Sequence, residues 1–173
     1  MKIILPYPRQ PVEYGDSDPR APAVAQLIAN HIRQHLPSIQ VEHIGSTAVA
    51  DCAGRGTIDL MLLYDDEPID LILATLDALG FQWVQRDNNL PDEWPKGAGA
   101  IKYAGDIFRI HLHVLPLDHL AVSERRAFRD RLQSDPEFRA AYQALKRAIL
   151  AAGITDPIEY TAAKSDFVAH YST

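Results

Sequence analysis

The chain lacks the features that would place it outside the cell or within a membrane. Its 173 residues include a single cysteine, Cys52, so no disulfide can form within the chain, which fits a reducing compartment. No run approaches the roughly 20 apolar residues that a membrane-spanning helix requires. Residues 1–6 are soon interrupted by proline and contain no signal-peptide core. We therefore expect a soluble, cytoplasmic protein with no membrane partner.

Basic residues are also too few for a broad nucleic-acid surface. The 17 Lys and Arg are outnumbered by 23 Asp and Glu, which gives a formal net charge of −6. Binding to extended nucleic acid is disfavoured, because it depends on an excess of Lys and Arg at the phosphates. The composition does not exclude a local basic pocket for a small anion. The hydrophobic share of 47% is that of an ordinary globular protein and argues against disorder.

Apolar spacing and turn residues predict one domain over residues 1–173, with an α+β (α/β-like) fold. Four prolines mark residues 1–20 as an irregular N-terminal arm. The sheet is expected to be mixed and flanked by helices, the C-terminal third helical, and residues 86–98 a loop. Helices are predicted at 21–36, 67–79, 119–133, 136–152 and 157–171, and strands at 39–44, 57–64, 81–85, 99–104 and 107–115.

The turn Gly45-Ser46-Thr47 stands where a predicted strand passes into a short helix. Glycine allows the backbone to approach a ligand closely, and the N–H groups at a helix start favour an anion. The hydroxyls of Ser46 and Thr47 add further donors. This pattern predicts a phosphate-binding turn; the alternative is an ordinary turn without a ligand.

Asp59 interrupts the apolar strand that follows the glycine turn. An ionised carboxylate among Ile, Leu and Met side chains is costly unless it is paired or bound to a metal. The alternative is that Asp59 lies near the end of the strand, where water or a salt bridge satisfies it.

Arg109, His111 and His113 alternate with apolar residues along a later strand. Because side chains alternate between the two faces of a strand, these three share one face. One guanidinium and two imidazoles suit a metal or an anion, although two His at this spacing are not a zinc motif alone. The alternative is a solvated strand face. If this strand lies beside the Asp59 strand, the imidazoles and Asp59 would meet around a shared ligand.

Several blocks of sequence, taken in order, resemble the GrpB family of nucleotidyltransferase-fold proteins. The first joins the glycine turn to the Asp59 strand, the second is the His-Leu-His strand, and the others lie in the C-terminal helices. They span residues 43–49 with 55–60, 111–114, 128–132, 135–146 and 160–167, and so cover most of 40–170.

The resemblance implies the nucleotidyltransferase fold, a phosphate contact at Gly45 and Ser46, and a metal position at Asp59. Carboxylates on the strand after such a turn hold Mg²⁺, which prefers oxygen ligands, and the metal neutralises charge on the transferring phosphoryl group. The expected partners are a nucleoside triphosphate and a small acceptor. Arg109 and Lys164 are candidates to bind the substrate and stabilise developing charge.

The sequence departs from the nucleotidyltransferase pattern at the second acid. Active members carry two acids at i and i+2, whereas here Asp59 is followed by Met61. The strand expected to carry a third acid has His111 and His113 instead. A single divalent metal held by Asp59, His111 and His113 is therefore expected. Mg or Mn is the first expectation, and imidazole ligands also suit a softer metal.

Three functions follow from these residues. The first is metal-dependent nucleotidyl transfer, in which Asp59, His111 and His113 are the catalytic candidates and either His ligates metal or acts as the base. The second is an inactive nucleotide- or phosphate-binding module, which the residue at Met61 favours. The third is a metal-dependent phosphoester hydrolase.

Overall fold

The computed structural model of the chain describes residues 3–83 and 94–170. The five strands within those residues are β1 (Gln40–Ile44), β2 (Ile58–Tyr64), β3 (Gln82–Trp83), β4 (Lys96–Tyr103) and β5 (Asp106–Pro116). They form one sheet in the order β1-β2-β5-β4-β3. The central pair, β2 and β5, is parallel, and every other neighbouring pair is antiparallel. The predicted mixed sheet and α+β class are confirmed.

Five α-helices and one short 3-10 helix complete the described part. The α-helices are α1 (Ala21–Arg33), α2 (Ile69–Leu79), α3 (Leu120–Ser134), α4 (Pro136–Ala151) and α5 (Pro157–His170). The 3-10 helix, Ser46–Ala48, stands where a short helix was predicted. No helix in residues 3–83 and 94–170 combines the length and apolar character needed to cross a membrane.

The helices pack on the two faces of the sheet as separate groups. The larger core joins α1 and α2 to one face, where Leu60 on β2 and Leu112 on β5 are buried. On the opposite face, α3 covers Met61 and Leu63 of β2. Beyond α3, the helices α4 and α5 pack together around Phe138, with which Phe167 stacks at 5.2 Å between ring centroids. The predicted helical C-terminal third therefore forms one wall beside the sheet.

Helix ends follow the predicted capping residues. Asp135 accepts a hydrogen bond from the N–H of Phe138 at 2.9 Å, so it caps α4 as the Asp-Pro pair predicts. Gly80 ends α2 with φ of 111°, a left-handed conformation that glycine adopts without steric cost.

Three boundaries differ from the prediction. Helix α1 ends at Arg33, three residues before the predicted end, and the hairpin turn is formed by Ala104 and Gly105, both at positive φ. Strand β4 begins at Lys96, within the predicted loop, because Lys96 pairs with His113 on β5. The rest of that loop, residues 84–93, lies outside the described residues, as does the end of the predicted strand 81–85.

The predicted start of β4 is too late in the sequence because glycines stand near the start of the strand. They weaken a strand, so the Gly-Ala-Gly-Ala run was assigned partly to a loop. A Cβ at Gly99 would lie 2.8 Å from Cγ2 of Ile4 and 3.1 Å from Cδ1 of Phe81. The side chain is absent because the N-terminal arm and Phe81 pack directly against the strand.

The N-terminal arm is irregular, but backbone hydrogen bonds hold it against the rest of the protein at several points. The backbone of Leu5 pairs with Ala100 at the edge of β4, and that of Gly15 pairs with Gly54. Between these points, the N–H of Val12 donates to the carbonyl of Thr155 at 2.8 Å. The arm therefore links the sheet to the C-terminal helices.

Candidate functional site

Asp59 and the two histidines meet on one face of the sheet. Strand β2 lies directly beside β5, and the register pairs Asp59 with His111 and Met61 with His113. Because paired residues point to the same face, all four side chains lie on the side of α3. The Oδ1 of Asp59 is 3.4 Å from the Nδ1 of His111. The adjacency that the sequence argument assumed is present.

Gly45 lies against the carboxylate of Asp59. It has φ of 72°, a conformation disfavoured for residues with a Cβ, and a Cβ built there would be 2.8 Å from the Oδ2 of Asp59. Both the backbone conformation and the lack of space require glycine. The turn that was predicted to hold phosphate is therefore in contact with the acid that was predicted to hold metal.

The hydroxyl of Thr47 holds the turn in place. It donates to the carbonyl of Thr57 at 2.9 Å, so it can only accept from the Nε2 of His43, 3.0 Å away. Burial lowers the pKa of His43 to about 4, which favours the neutral ring. Thr47 was predicted to contact phosphate, but its proton is already donated to the protein, which leaves Ser46 as the hydroxyl of the turn for a ligand.

His111 has partners at both ring nitrogens. The Nη2 of Arg55 lies 3.1 Å from Nδ1, and the hydroxyl of Tyr7 lies 3.2 Å from Nε2. A guanidinium can only donate, so this contact is a hydrogen bond when Nδ1 carries no proton. Nε2 then donates to Tyr7, whose ring also stacks on the imidazole at 5.2 Å between centroids.

His113 is held by Trp94, whose indole N–H donates to its Nδ1 at 3.3 Å. Burial, with the nearby positive charges of Arg125 and Lys96, lowers the pKa of His113 well below its usual value. The ring is therefore neutral at physiological pH, and the Nδ1 lone pair is used within the protein.

Asp59 is held in the charged form. Burial alone would raise its pKa, but the hydrogen bond and charge that His111 supplies when its Nδ1 carries a proton, followed by the charge of Arg55, outweigh it and hold the pKa well below the usual range. Since 22% of the side chain is exposed, this carboxylate can meet a ligand from solvent.

A metal site made of protein ligands alone is not found in the described residues. Within 3–83 and 94–170, no three His, Cys, Asp or Glu side chains are grouped so that they could hold a metal ion. The predicted ligand set of Asp59, His111 and His113 therefore gains no support as a closed metal centre. Mg²⁺ is commonly held by one or two carboxylates together with substrate phosphates, and Asp59 fits that arrangement.

Arg109 and Lys164, the predicted substrate-binding cations, occupy different places. Arg109 donates from Nη2 to the carbonyl of Arg55 at 2.6 Å, so it supports the loop that carries Arg55. Lys164 on α5 lies over the ring of Tyr160, with its Nζ 4.6 Å from the centroid. Burial, and next the charge of Arg55, lower the pKa of Lys164 to about 7.

Lys146 on α4 is a further cation in this region, with 2% of its surface exposed. Its Nζ donates to the carbonyl of Ala53 and lies 4.5 Å from the ring centroid of Tyr142. One turn earlier, Gln143 accepts from the N–H of Ala53 at 3.0 Å. Helix α4 therefore holds both polar groups of Ala53. Burial lowers the pKa of Lys146 to about 8.

The positive charges around the loop are not balanced by protein carboxylates. Arg55, Lys146 and Lys164 act on one another and on few acids, chiefly Asp59. Within the described residues, none of the three has a carboxylate within 4.0 Å. Burying a charge costs several kcal/mol, and contact with one aromatic face returns only about 2 kcal/mol. The arrangement therefore favours an anion.

Sequence reasoning gave no role to Tyr7, Arg55 or Lys146. For Lys146 a signal exists: it stands on the apolar stripe of α4, eight residues after Phe138, and a lysine there is unusual unless its charge is used. Tyr7 and Arg55 lie in irregular segments, where spacing gives no direction for a side chain.

Comparison with known proteins identifies the family and the fold. The family model of the GrpB protein matches residues 11–173. A UPF0157 protein of Pseudomonas aeruginosa is 32% identical over 164 residues, which are 91% of this chain and 65% of the relative, so the chain spans just under two thirds of it.

The fold is shared with solved structures, among them the following two. The conserved protein GrpB from Enterococcus faecalis has a TM-score of 0.72 at 21% identity, with 92% of this chain and 94% of that one covered. A mutant Cid1 poly(U) polymerase bound to MgATP has a TM-score of 0.58 at 17% identity, with coverages of 86% and 50%. At these identities the likeness shows the nucleotidyltransferase fold alone. Because the family model covers almost the whole chain, the chain belongs to the GrpB family.

Proposed function

We propose that this protein binds a nucleoside triphosphate at the Gly45 turn and transfers its nucleotidyl group to a small acceptor, with a divalent metal at Asp59. The observation that carries the proposal is the contact between the turn and the acid. Gly45 leaves no room for a Cβ beside the Asp59 carboxylate, so phosphate oxygens at the turn would lie close to a metal on that carboxylate. The fold likeness to a polymerase solved with MgATP supports the choice of substrate.

Each residue has a role in the proposed reaction. Ser46 and the backbone N–H groups of the turn bind phosphate oxygens. The metal, when bound by Asp59 and the phosphates, lowers the cost of negative charge on the transferring group. His111, 24% exposed, is open to solvent. It accepts the proton of the acceptor hydroxyl once Arg55 has moved from its Nδ1 to the phosphates. The acceptor oxygen then bonds to the α-phosphorus and pyrophosphate leaves.

The test is metal-dependent release of pyrophosphate from nucleoside triphosphates in the presence of a broad set of small hydroxyl and amine acceptors. The proposal expects release that requires both metal and acceptor and that falls by at least about 100-fold in His111→Ala. Release of orthophosphate without an acceptor would indicate hydrolysis instead.

A second function, nucleotide binding without transfer, is favoured by one observation. Met61 occupies the position of the second acid and is fully buried at 0% exposure, so no second carboxylate faces the site from β2. Nucleotide binding without pyrophosphate release in any acceptor reaction would select this function over transfer.

A further inference from the structure

Two histidines lie together at the C-terminal end of α1, and neither has a role in the proposed transfer reaction. His31 is in the last turn of the helix, and His35 follows four positions later in the turn that ends it. The centroids of their rings are 5.2 Å apart and the ring planes are inclined at 73°, so the rings are not stacked face to face. Because His35 is exposed and His31 is half-buried, the pair can be reached from solvent.

Neighbouring oxygen atoms set the proton position on each ring. The Nδ1 of His35 lies 3.0 Å from the carbonyl oxygen of His31, which can only accept, so Nδ1 carries the proton and Nε2 keeps its lone pair. Burial and the charge of His35 lower the pKa of His31, whereas a hydrogen bond with Gln34 raises it, as a ring N–H that donates to the amide oxygen would. Each ring therefore uses one nitrogen as a donor and offers the other as a ligand, which is the usual arrangement of metal-binding histidines.

The spacing of the rings suits one shared metal ion. A zinc ion lies about 2 Å from a ligating imidazole nitrogen, and so roughly 3 Å from the centroid of that ring. Two centroids 5.2 Å apart can therefore share an ion at an angle near the tetrahedral one of zinc sites. Neutral imidazole suits Zn²⁺, Ni²⁺ and Cu²⁺, whereas Mg²⁺ and Ca²⁺ prefer oxygen ligands.

The end of α1 is also a favourable place for a cation. The C-terminus of a helix carries partial negative charge from carbonyl groups that have no partner within the helix. The guanidinium of Arg33, which stands between the two histidines in sequence, donates to the carbonyl of Val41 at 3.0 Å. Within residues 3–83 and 94–170, no third His, Cys, Asp or Glu joins the pair, so water would complete the coordination of an ion held there.

We infer that His31 and His35 form a two-histidine site for a divalent transition metal of the Zn²⁺ class at the end of α1. The site does not include Asp59 and does not depend on the proposed function. An ion bound there would join the last turn of α1 to the turn that follows. Because the unfolded chain does not hold the two rings together, the ion would stabilise the folded protein.

The experiment titrates Zn²⁺ into the native protein and its variants by calorimetry. His31→Ala and His35→Ala should each weaken the binding event at least about tenfold, because losing either imidazole removes the effective concentration that the second ligand provides. His35→Cys should keep most of the affinity, since a thiolate is also a zinc ligand. Gln26→Ala is the matched control, because it removes an exposed side chain from the same helix and no imidazole, and its affinity should equal that of the native protein.

Zinc affinities within twofold of the native value in both alanine variants would overturn the site. A loss in only one of them would indicate a single ligand and would overturn it too. His35 is exposed, so the comparison of His35→Ala with His35→Cys keeps the test informative if His31→Ala does not fold, as judged by circular dichroism.

Asp59→Asn separates this site from the metal of the proposed transfer reaction. The zinc event at α1 should persist in that variant, and it should persist even if the protein neither binds ATP nor releases pyrophosphate. A zinc event that disappears in Asp59→Asn and remains in both α1 variants would instead assign the metal to the proposed transfer site and would overturn the inference.

Discussion

At the scale of single residues, the site depends on groups whose protonation is set by the protein around them. His43 stands behind the glycine turn and donates to Thr47, which in turn donates to Thr57. This relay requires a neutral imidazole with its proton on Nε2. The geometry of the turn is therefore linked to the ionisation of a residue on the opposite face of the sheet from Asp59.

Stability should depend on pH through His43. Its pKa is about 4 in the folded protein against 6.5 for the free side chain, so the unfolded chain binds more protons between these values. The stabilisation is complete above pH 6.5 and is lost as the pH falls toward 4. Between pH 7.5 and 5.0 we expect about 2 kcal/mol of loss from this group.

Urea unfolding at those two pH values measures the effect. His43→Gln keeps an amide donor for Thr47 without a titrating ring. Between pH 7.5 and 5.0, the variant should therefore lose about 2 kcal/mol less stability than the native protein. If native and variant proteins lose stability equally, His43 is not the group responsible.

Gly45 should be far less replaceable than Gly56, another glycine at positive φ. Gly45→Ala places a methyl group 2.8 Å from the Asp59 carboxylate, whereas a Cβ at Gly56, with φ of 69°, meets nothing within 4 Å. Both substitutions place a side chain at positive φ, and Gly45, with ψ of −170°, lies in a region that essentially only glycine adopts. We expect Gly45→Ala to cost at least about 1 kcal/mol more, because overpacking adds to the strain.

The comparison is made by chemical denaturation of the two variants. The same free energy of unfolding for both would mean that the turn can move away from Asp59. That result would argue against the close contact on which the phosphate proposal depends.

At the scale of elements, the sequence was informative wherever a local rule decides the structure. Alternation along residues 109–114 placed His111 and His113 on one face, and capping residues located the start of α4 at Asp135. The sequence was not informative where contacts between residues distant in sequence determine the structure. Lys96 joins β4 because His113 lies opposite, and Arg55 reaches His111 across 56 positions of sequence. No local pattern contains such information.

The start of α4 gives a prediction at this scale, because this helix positions Lys146 and Gln143. Asp135→Ala removes the acceptor for the N–H of Phe138 and should cost about 1 kcal/mol of stability. Asp135→Asn keeps an acceptor oxygen and should recover most of that loss. Thermal unfolding of both variants measures it, and equal losses would mean that the charge of Asp135, paired with Arg131 at 3.8 Å, matters more than the cap.

At the scale of the whole molecule, a protein with net charge −6 concentrates positive charge at one place between the sheet and the C-terminal helices. The overall charge argues against extended nucleic acid, while the local charge favours a compact anion. The N-terminal arm crosses this region, since Tyr7 contacts His111 and Val12 contacts Thr155. Composition predicts that extended nucleic acid is disfavoured, but only the tertiary structure brings the cations together.

Binding of a nucleoside triphosphate should weaken as the pH rises above neutrality. Lys164 and Lys146 have pKa values of about 7 and about 8, so both lose their protons between pH 7 and 9.5. A terminal phosphate has a pKa near 6 and is fully ionised across that range. We expect at least about a tenfold loss of affinity from pH 7 to 9.5, and a smaller loss in Lys164→Met. A flat profile would exclude the lysines from binding.

The proposed function depends most on a phosphate-bound metal at Asp59, and calorimetric titration of ATP with and without Mg²⁺ tests it most directly. In the native protein, Mg²⁺ should tighten ATP binding at least about tenfold. In Asp59→Asn that enhancement should vanish, while metal-free ATP binds as well or better because a negative charge is gone. Absence of ATP binding in the native protein, or an equal enhancement by Mg²⁺ in the variant, would contradict the proposal.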